Sequence, residues 1–218
     1  MEKQIYQIHH PDGWVTAEEP KGCFFSDRPM VTDAKNGMII NASRYPRGFF
    51  KPLHRHGCSH GIFVIEGMLR TDHGTYGPGT LVWHPAGCEA GHGSTEETDC
   101  LFLFIANKPF DIEFLAQRSA CRTPAPEVFW LSEANLYVQQ PAVLDDETGM
   151  SIRFIRFERG TEQNWQRSCA CGLYIMEGTL MADGRTHEPG TLIWLPAGSR
   201  MQLEACEESC CCLCVTNG

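Results

Sequence analysis

Residues 66–87 read EGMLRTDHGTYGPGTLVWHPAG, and residues 177–198 read EGTLMADGRTHEPGTLIWLPAG. The two stretches align without a gap, at a constant offset of 111 residues. The similarity continues into the apolar runs at 100–106 and 211–216. Self-similarity at a fixed period is typical of a duplicated structural unit. The sequence therefore predicts two similar halves, each of about 100 residues.

Short runs rich in β-branched and aromatic residues recur along each copy, separated by Gly, Pro and Asp. Short strands with such frequent turns are typical of an antiparallel sandwich or barrel. No long stretch has helical periodicity, although one short helix is expected over 110–117. We therefore expect an all-β fold. In the first copy the predicted strands are 61–66, 68–71, 80–84 and 100–106.

The limits of the repeat divide the chain into four expected segments. The turn signals Pro11-Asp12-Gly13 and Pro20-Lys21-Gly22 mark a loop-rich start. A linker follows the first copy and includes the run Ala120-Cys121-Arg122-Thr123-Pro124. The predicted segments are an N-terminal extension (1–36), a first barrel (37–107), a linker (108–126) and a second barrel (127–218).

The charge balance excludes some classes of partner. The formal net charge is −9 at pH 7, which disfavours binding to the phosphates of nucleic acid. No apolar run is long enough to span a bilayer, and the start, MEKQIYQIHHPDGWV, lacks the apolar core of a signal peptide. We expect a cytoplasmic protein with neither a nucleic-acid nor a membrane partner.

The chain has 12 cysteines, and without a secretion signal we expect them to be reduced. Many lie in the second copy, where a soft thiolate site for Zn or Cu(I) is one interpretation. The other is that they are small buried apolar residues. Leucines at the aligned positions Leu101 and Leu103 favour this second interpretation. The group in question is Cys169, Cys171, Cys206 and Cys210–Cys214.

Histidines are concentrated in the first copy. His54 and His56 would share one face of a strand, His60 follows four residues later, and His92 lies beyond the next turn. Imidazole is the commonest ligand for borderline divalent metals. The sequence thus predicts one metal site, with His54, His56, His60 and His92 as ligands. The second copy has other residues at the first three aligned positions, namely Trp165, Arg167 and Cys171.

Two further polar positions lie close to this pattern. His84 aligns with Leu195, so the fold does not require a histidine there. It could donate a hydrogen bond near the metal or lie exposed, and we expect exposure. Asp72 aligns with Asp183, and we expect both carboxylates to serve a turn.

The stretch 54–87, HRHGCSHGIFVIEGMLRTDHGTYGPGTLVWHPAG, resembles a cupin domain, and in particular the cupin domains similar to that of the zinc anti-sigma factor ChrR. The resemblance covers about 37–107 and 149–218. It implies a tandem cupin (bicupin), with two jelly-roll β-barrels in one chain. It also implies one divalent transition metal, such as Zn, Fe or Ni.

Two positions depart from the family pattern. His60 stands where the family has a glutamate ligand, and Ala90 stands where it has the second-motif histidine. His92 lies two residues later, and a two-residue step along a strand preserves the face. A ligand set without carboxylate keeps both positive charges of a divalent ion, so the site should favour an anionic substrate.

Three functions remain open from the sequence. The first is a metal-dependent dioxygenase, because cupins with altered ligand sets are similar to enzymes of this kind. Its substrate would be a small thiol or an anionic oxygen chelator such as a β-diketonate. The second is a ChrR-like sensory or regulatory cupin without catalysis, with a sigma factor as partner. This chain lacks the HxxxCxxC motif of the anti-sigma domain, however. The third is a structural or storage bicupin with a vestigial metal. A homodimer is compatible with all three.

Overall fold

The computed structural model describes residues 2–19, 23–35, 37–109, 111–121, 123–130, 141–205 and 208–218. These residues form β-strands, turns and loops. No helix among them is long and apolar enough to cross a membrane. The chain divides into two units. The first unit is Pro11–Trp130, and the second combines Met1–His10 with Leu131–Gly218.

The strand bounds agree closely with the predicted runs of the first copy, and the all-β prediction is confirmed. In chain order the strands are β1 (Gln4–Gln7), β2 (Val15–Glu19), β3 (Cys23–Thr32), β4 (Ile39–Tyr45), β5 (Phe50–Arg55), β6 (His60–Gly67), β7 (Leu69–Thr71), β8 (Gly74–Tyr76), β9 (Thr80–His84), β10 (Ala90–Ser94), β11 (Cys100–Ala106), β12 (Glu113–Phe114), β13 (Glu127–Trp130), β14 (Val143–Leu144), β15 (Ser151–Phe157), β16 (Thr161–Gln166), β17 (Cys171–Glu177), β18 (Leu180–Ala182), β19 (Arg185–His187), β20 (Thr191–Leu195), β21 (Arg200–Ala205) and β22 (Cys210–Thr216).

The first unit contains two antiparallel sheets. One has the strand order β13-β9-β6-β11-β4-β3-β2, and the other has the order β12-β5-β10-β7-β8. Apolar side chains, mostly from β4, β6, β9 and β11, form a buried core in the unit. Its members are Tyr45, Phe49, Ile62, Val64, Leu69, Val82, Cys100 and Phe102.

The second unit repeats this topology. Its sheets have the orders β1-β20-β17-β22-β15-β14 and β16-β21-β18-β19. The run β20-β17-β22-β15 is the counterpart of β9-β6-β11-β4, and β16-β21-β18-β19 is the counterpart of β5-β10-β7-β8. The predicted duplication is therefore present in the strand order as well as in the sequence.

The unit boundaries differ from the segments predicted from the sequence. Residues 4–7 of the expected extension pair with β20 in the second unit, while β2 and β3 extend a sheet of the first unit. Residues 127–130 pair with β9 in the first unit, although they were assigned to the second barrel. In each unit the added strand covers a sheet edge that would otherwise expose unpaired backbone groups.

The expected short helix over 110–117 is wrong for its described residues, 111–117. This stretch contains the strand β12, which pairs with the edge strand β5 through Glu113↔Arg55 and Phe114↔His54. Phe110 lies outside the described residues. The segment pairs with the edge of the sheet at β5, and its backbone N–H and C=O groups satisfy those of β5.

A glycine that recurs in the repeat has a steric role. Gly67 and Gly178 have φ of 71° and 70°, a region that L side chains rarely adopt. A Cβ on Gly67 would lie 1.8 Å from the carbonyl oxygen of Asp99, and one on Gly178 would lie 2.3 Å from that of Ser209. The close backbone approach explains why both copies have glycine here.

Candidate metal centre

His54 and His56 lie at the end of β5 and are held by backbone carbonyls. Nδ1 of His54 donates to the carbonyl oxygen of Pro52 at 2.7 Å, and Nδ1 of His56 donates to that of Asp111. A carbonyl oxygen only accepts, so Nδ1 carries the proton and Nε2 keeps its lone pair. Burial lowers the pKa of His54 to about 3, which keeps its ring neutral.

His92 lies on β10 with its ring buried. Its Nδ1 lies 3.2 Å from the hydroxyl oxygen of Tyr45, and its Nε2 has no hydrogen-bond partner among the described residues. Gly91 and Gly93 flank it, and a Cβ on either would meet β5 or its side chains at 2.9 Å or less. The Gly-His-Gly sequence therefore lets β10 lie close to β5, with the imidazole facing His54.

His60 and His84 lie directly opposite each other on β6 and β9. Their rings are nearly parallel, at 8°, with centroids 4.7 Å apart. Within the described structure, neither ring nitrogen of either residue has a hydrogen-bond partner. The expected exposure of His84 is wrong, because it is only 1% exposed. Burial lowers the pKa of His84 to about 3 and lowers that of His60.

The five imidazoles form a closed ring inside the first unit, which we call the histidine ring. Neighbouring centroids are separated by 5.0 Å (His54–His56), 4.6 Å (His56–His60), 4.7 Å (His60–His84), 5.9 Å (His84–His92) and 4.8 Å (His92–His54). Two imidazoles that share an ion at about 2.1 Å have centroids roughly 4.5–5.2 Å apart. The three sides that join the predicted ligands His92, His54, His56 and His60 fall within this range.

The ring nitrogens do not yet form a coordination shell. Across the described ranges, no group of three or more His, Cys, Asp or Glu side chains has the geometry to hold a metal ion as it stands. The donor set nevertheless fits a divalent transition ion, because all five imidazoles are buried and several of their nitrogens have no hydrogen-bond partner among the described residues. Ring rotation about the side-chain torsions would be needed to bring those nitrogens together.

A cavity of about 50 Å³ adjoins the histidine ring at His56 and His92. Lys51, buried on β5, places its Nζ 4.8 Å from the ring centroid of Phe25. Asp27 accepts hydrogen bonds from Ser43 at 2.6 Å and Asn41 at 2.9 Å, and burial raises its pKa. Sequence reasoning missed this wall. The full lining is Phe25, Asp27, Asn41, Ser43, Tyr45, Lys51, His56, His92, Phe102 and Phe104.

The expected linker is bound to the first unit beside the histidine ring. Arg118 donates to the carbonyl oxygen of Glu89 at 2.6 Å and to the carboxylate of Asp72 at 2.8 Å. The backbone N–H of Ser119 donates to the carboxylate of Glu89 at 2.8 Å. Together with the hydrogen bond from Nδ1 of His56 to the carbonyl oxygen of Asp111, these contacts hold residues 111–119 against the first unit.

The two turn aspartates have the predicted role. Asp72 accepts from the N–H of Gly91 at 2.7 Å. Asp183 accepts from the N–H of Gln202, its repeat counterpart, at 2.9 Å. Both carboxylates therefore link a turn to a neighbouring strand.

The second unit has no histidine at the positions that match the histidine ring. The counterparts of four ring members lie in its apolar core, and Arg167, the fifth, lies 4.3 Å from the ring centroid of Trp165. The four core positions serve packing in this unit, whereas Arg167 is exposed. The four core counterparts are Trp165, Cys171, Leu195 and Leu203.

Four cysteines of the second unit, Cys171, Cys210, Cys212 and Cys214, belong to the same core. Sγ of Cys171 lies 3.5 Å from that of Cys214, and Sγ of Cys210 lies 3.7 Å from that of Cys212. The Cys214 hydrogen bond and burial raise the pKa of Cys171 well above its ordinary value. The four core cysteines are free thiols, and their burial supports the apolar-packing interpretation, whereas Cys169 is half-buried. Cys206 lies outside the described residues.

Comparison with known proteins agrees with this architecture. Both units have the paired antiparallel sheets of a cupin, and the histidines lie inside one of them. Residues 13–111 match the family described as the ChrR cupin-like domain. The chain therefore has the fold of a tandem cupin, and its first unit is similar to the ChrR cupin-like domain. No curated protein of similar sequence was found.

Solved structures with similar folds include a proposed dioxygenase from Nostoc punctiforme PCC 73102. It is 12% identical with a TM-score of 0.79, over 99% of this chain and 82% of that one. Salicylate 1,2-dioxygenase from Pseudaminobacter salicylatoxidans is 17% identical with a TM-score of 0.65, over 83% and 70%. Its structure with gentisate is 16% identical with a TM-score of 0.63, over 83% and 68%. At these identities the similarity establishes the fold.

Proposed function

We propose that the protein is a metal-dependent dioxygenase whose single metal centre lies in the first unit. The observation that carries this proposal is the histidine ring, in which buried neutral imidazoles have nitrogens without partners. Burying a polar group without a partner costs free energy. A bound ion would offset this cost. The ion would be a divalent transition metal such as Zn, Fe or Ni, and iron suits the proposed chemistry.

The ligands in this proposal are His54, His56, His60 and His92. Three of them have Nδ1 fixed by a neighbouring oxygen, so each would bind through Nε2. Such fixing of the outer nitrogen orients a metal-binding imidazole and sets its tautomer. His60 has both nitrogens available and would be the fourth ligand. When bound, the ion would supply Lewis acidity, and iron would also supply one-electron chemistry towards O₂.

The remaining residues select the substrate. The imidazoles are neutral, so no ligand cancels the charge of the ion. Lys51 adds a buried cation at the cavity wall. The aromatic side chains of Phe25, Tyr45 and Phe104 line the same cavity and would exclude water from the bound group. The site therefore favours the anionic end of a small oxygen chelator or a thiolate.

The folds that resemble this chain agree with such a substrate. Salicylate and gentisate, named with the Pseudaminobacter enzyme, each carry a carboxylate beside a hydroxyl group on an aromatic ring. A β-diketonate presents two oxygens in a similar chelating arrangement. We include both classes as candidates, because the cavity of about 50 Å³ admits the chelating end of either.

The test begins with elemental analysis of protein purified without added metal. Oxygen consumption is then measured with the Fe(II)-loaded protein and a panel of β-diketones, hydroxyacetophenones, hydroxybenzoates and thiols. We expect turnover of at least one class by the wild type and by His187→Leu, a histidine of the second unit. The variant His92→Leu, which copies the second-unit residue Leu203, should lose it. Bound iron without turnover of any compound would contradict the proposal.

A ChrR-like regulatory role is the second candidate, and the match of residues 13–111 to the ChrR cupin-like domain favours it. In this role the metal centre would bind a small ligand and alter contact with a sigma factor. Pull-down of a purified sigma factor by the metal-loaded protein would support it. Absence of binding, with and without metal, would exclude it.

A further inference from the structure

We infer that His84 is a binding residue for the exogenous anion at the metal centre, donating a hydrogen bond from its ring N–H. The inference rests on the proposed metal centre and names a residue outside its ligand set. The proposed ligands are His54, His56, His60 and His92, and His84 is the remaining member of the histidine ring.

The position of His84 places it at the open side of the centre. The ligands form a continuous arc with centroid separations of 4.8, 5.0 and 4.6 Å from His92 to His60. His84 closes the gap between the two ends of that arc, at 4.7 Å from His60 and 5.9 Å from His92. An anion bound in the coordination position that the arc leaves open would therefore lie next to His84.

The ring nitrogens of His84 are buried without a hydrogen-bond acceptor or donor among the described residues, which indicates that a ligand supplies one. His84 is 1% exposed, and both ring nitrogens lack a hydrogen-bond partner within the described structure. An imidazole carries at least one N–H in either protonation state. A buried donor left unpaired is costly, so a ligand that accepts its hydrogen bond is the simplest explanation for its retention.

The second unit shows that packing does not require this imidazole. Leu195 pairs with Cys171 on β20 and β17 in the register in which His84 pairs with His60 on β9 and β6. Leu195 is 3% exposed and belongs to the apolar core. The same place in the same fold is therefore filled by an aliphatic side chain in the unit that lacks the other four histidines.

Lys51 also lies near the ring and could attract an anion. It is on the wall at His56 and His92, whereas His84 borders the gap beside His60. The two groups therefore have separable roles. Lys51 contributes charge, and His84 contributes a directed donor.

The test uses Co(II)-substituted protein and azide as the anion probe. Co(II) affinity is measured by titration, and azide affinity by the change in the Co(II) absorption spectrum. For His84→Leu we expect Co(II) affinity within about twofold of the wild type and azide affinity about 10- to 100-fold weaker, the loss of one hydrogen bond to a charged acceptor. His84→Gln keeps an amide donor and should recover part of the azide affinity.

Three results would overturn the inference. Unchanged azide affinity in His84→Leu would show that the imidazole does not contact the anion, and a parallel fall in Co(II) affinity would show that His84 is itself a ligand. A wild type that binds no Co(II) would remove the proposed centre and the inference together. Azide binding that depends on His84, without oxygen consumption in the activity test, would leave the inference intact and contradict the dioxygenase.

Discussion

The two units share a strand arrangement but differ in the side chains at its inner positions. In the first, the inner positions hold a ring of five imidazoles, and in the second the matched positions are Trp165, Arg167, Cys171, Leu195 and Leu203. The strand order around these positions is the same. The second unit therefore shows what the fold needs for packing, and the difference between the units isolates what the first unit retains for binding.

The difference also predicts that acid destabilises the first unit more than the second in the metal-free protein. Burial lowers the pKa of His54 and of His84 to about 3, from 6.5. A group with a lowered folded-state pKa adds stability above its unfolded pKa, and that stability is lost as pH falls towards the folded value. At pH 5 each group would cost roughly 2 kcal/mol relative to neutral pH. The expected loss for the first unit is about 4 kcal/mol from these two groups.

Hydrogen exchange followed by mass spectrometry at pH 7 and pH 5 measures this loss for each unit separately. Rates are corrected for the intrinsic effect of pH. The second unit is the internal control, although burial lowers the pKa of its His187 as well. Equal losses in the two units would contradict the prediction.

Placing an imidazole in the second interior should be strongly destabilising. In Leu195→His, aliphatic packing is lost and a polar group is buried among apolar neighbours. We expect a loss of about 3 kcal/mol in the free energy of unfolding, measured by urea denaturation. Leu195→Met is the control for altered side-chain shape and should cost less than about 1.5 kcal/mol. A neutral effect of Leu195→His would mean that this interior also accepts polar groups.

Saturation with metal should stabilise only the unit that binds it. At a free metal concentration 100 times the dissociation constant, the expected gain is about 2.7 kcal/mol. Protection of β5, β6 and β10 from hydrogen exchange should rise, while β16, β17 and β21 remain unchanged. No gain on adding Zn(II), Fe(II) or Ni(II) would favour the storage interpretation with a vestigial site.

The sequence was sufficient to predict the duplication, the all-β class and several strands with nearly correct ends, because the repeat and the turn residues are local signals. The exposure of His84 was wrong, because β9 is buried on both faces and alternation carries no information in such a strand. The pairing of β1 with β20 and of β13 with β9 depends on distant residues that a local pattern does not specify.

The candidate site was partly accessible to the same reasoning. The structure brings His54, His56, His60 and His92 together with His84, and their role in metal binding stays a prediction. The HxHxxxH spacing was the signal for the first three. Lys51, Asp27 and Asn41 gave no comparable signal, because they lie on different strands and meet only in the folded cavity.

The prediction with the smallest expected effect tests whether the buried histidines of the site lower the stability of the first unit. In the metal-free protein, His84→Leu replaces an imidazole without hydrogen-bond partners by the residue that the second unit uses at the same place. We expect the free energy of unfolding to rise by about 1 kcal/mol, because the unpaired polar group is removed and the volume is retained. His73→Leu, at an exposed turn position, is the control for a general effect of removing a histidine. A fall in stability of His84→Leu, with His73→Leu unchanged, would mean that the imidazole already has a stabilising partner in the metal-free protein, and the argument from its missing hydrogen bonds would then fail.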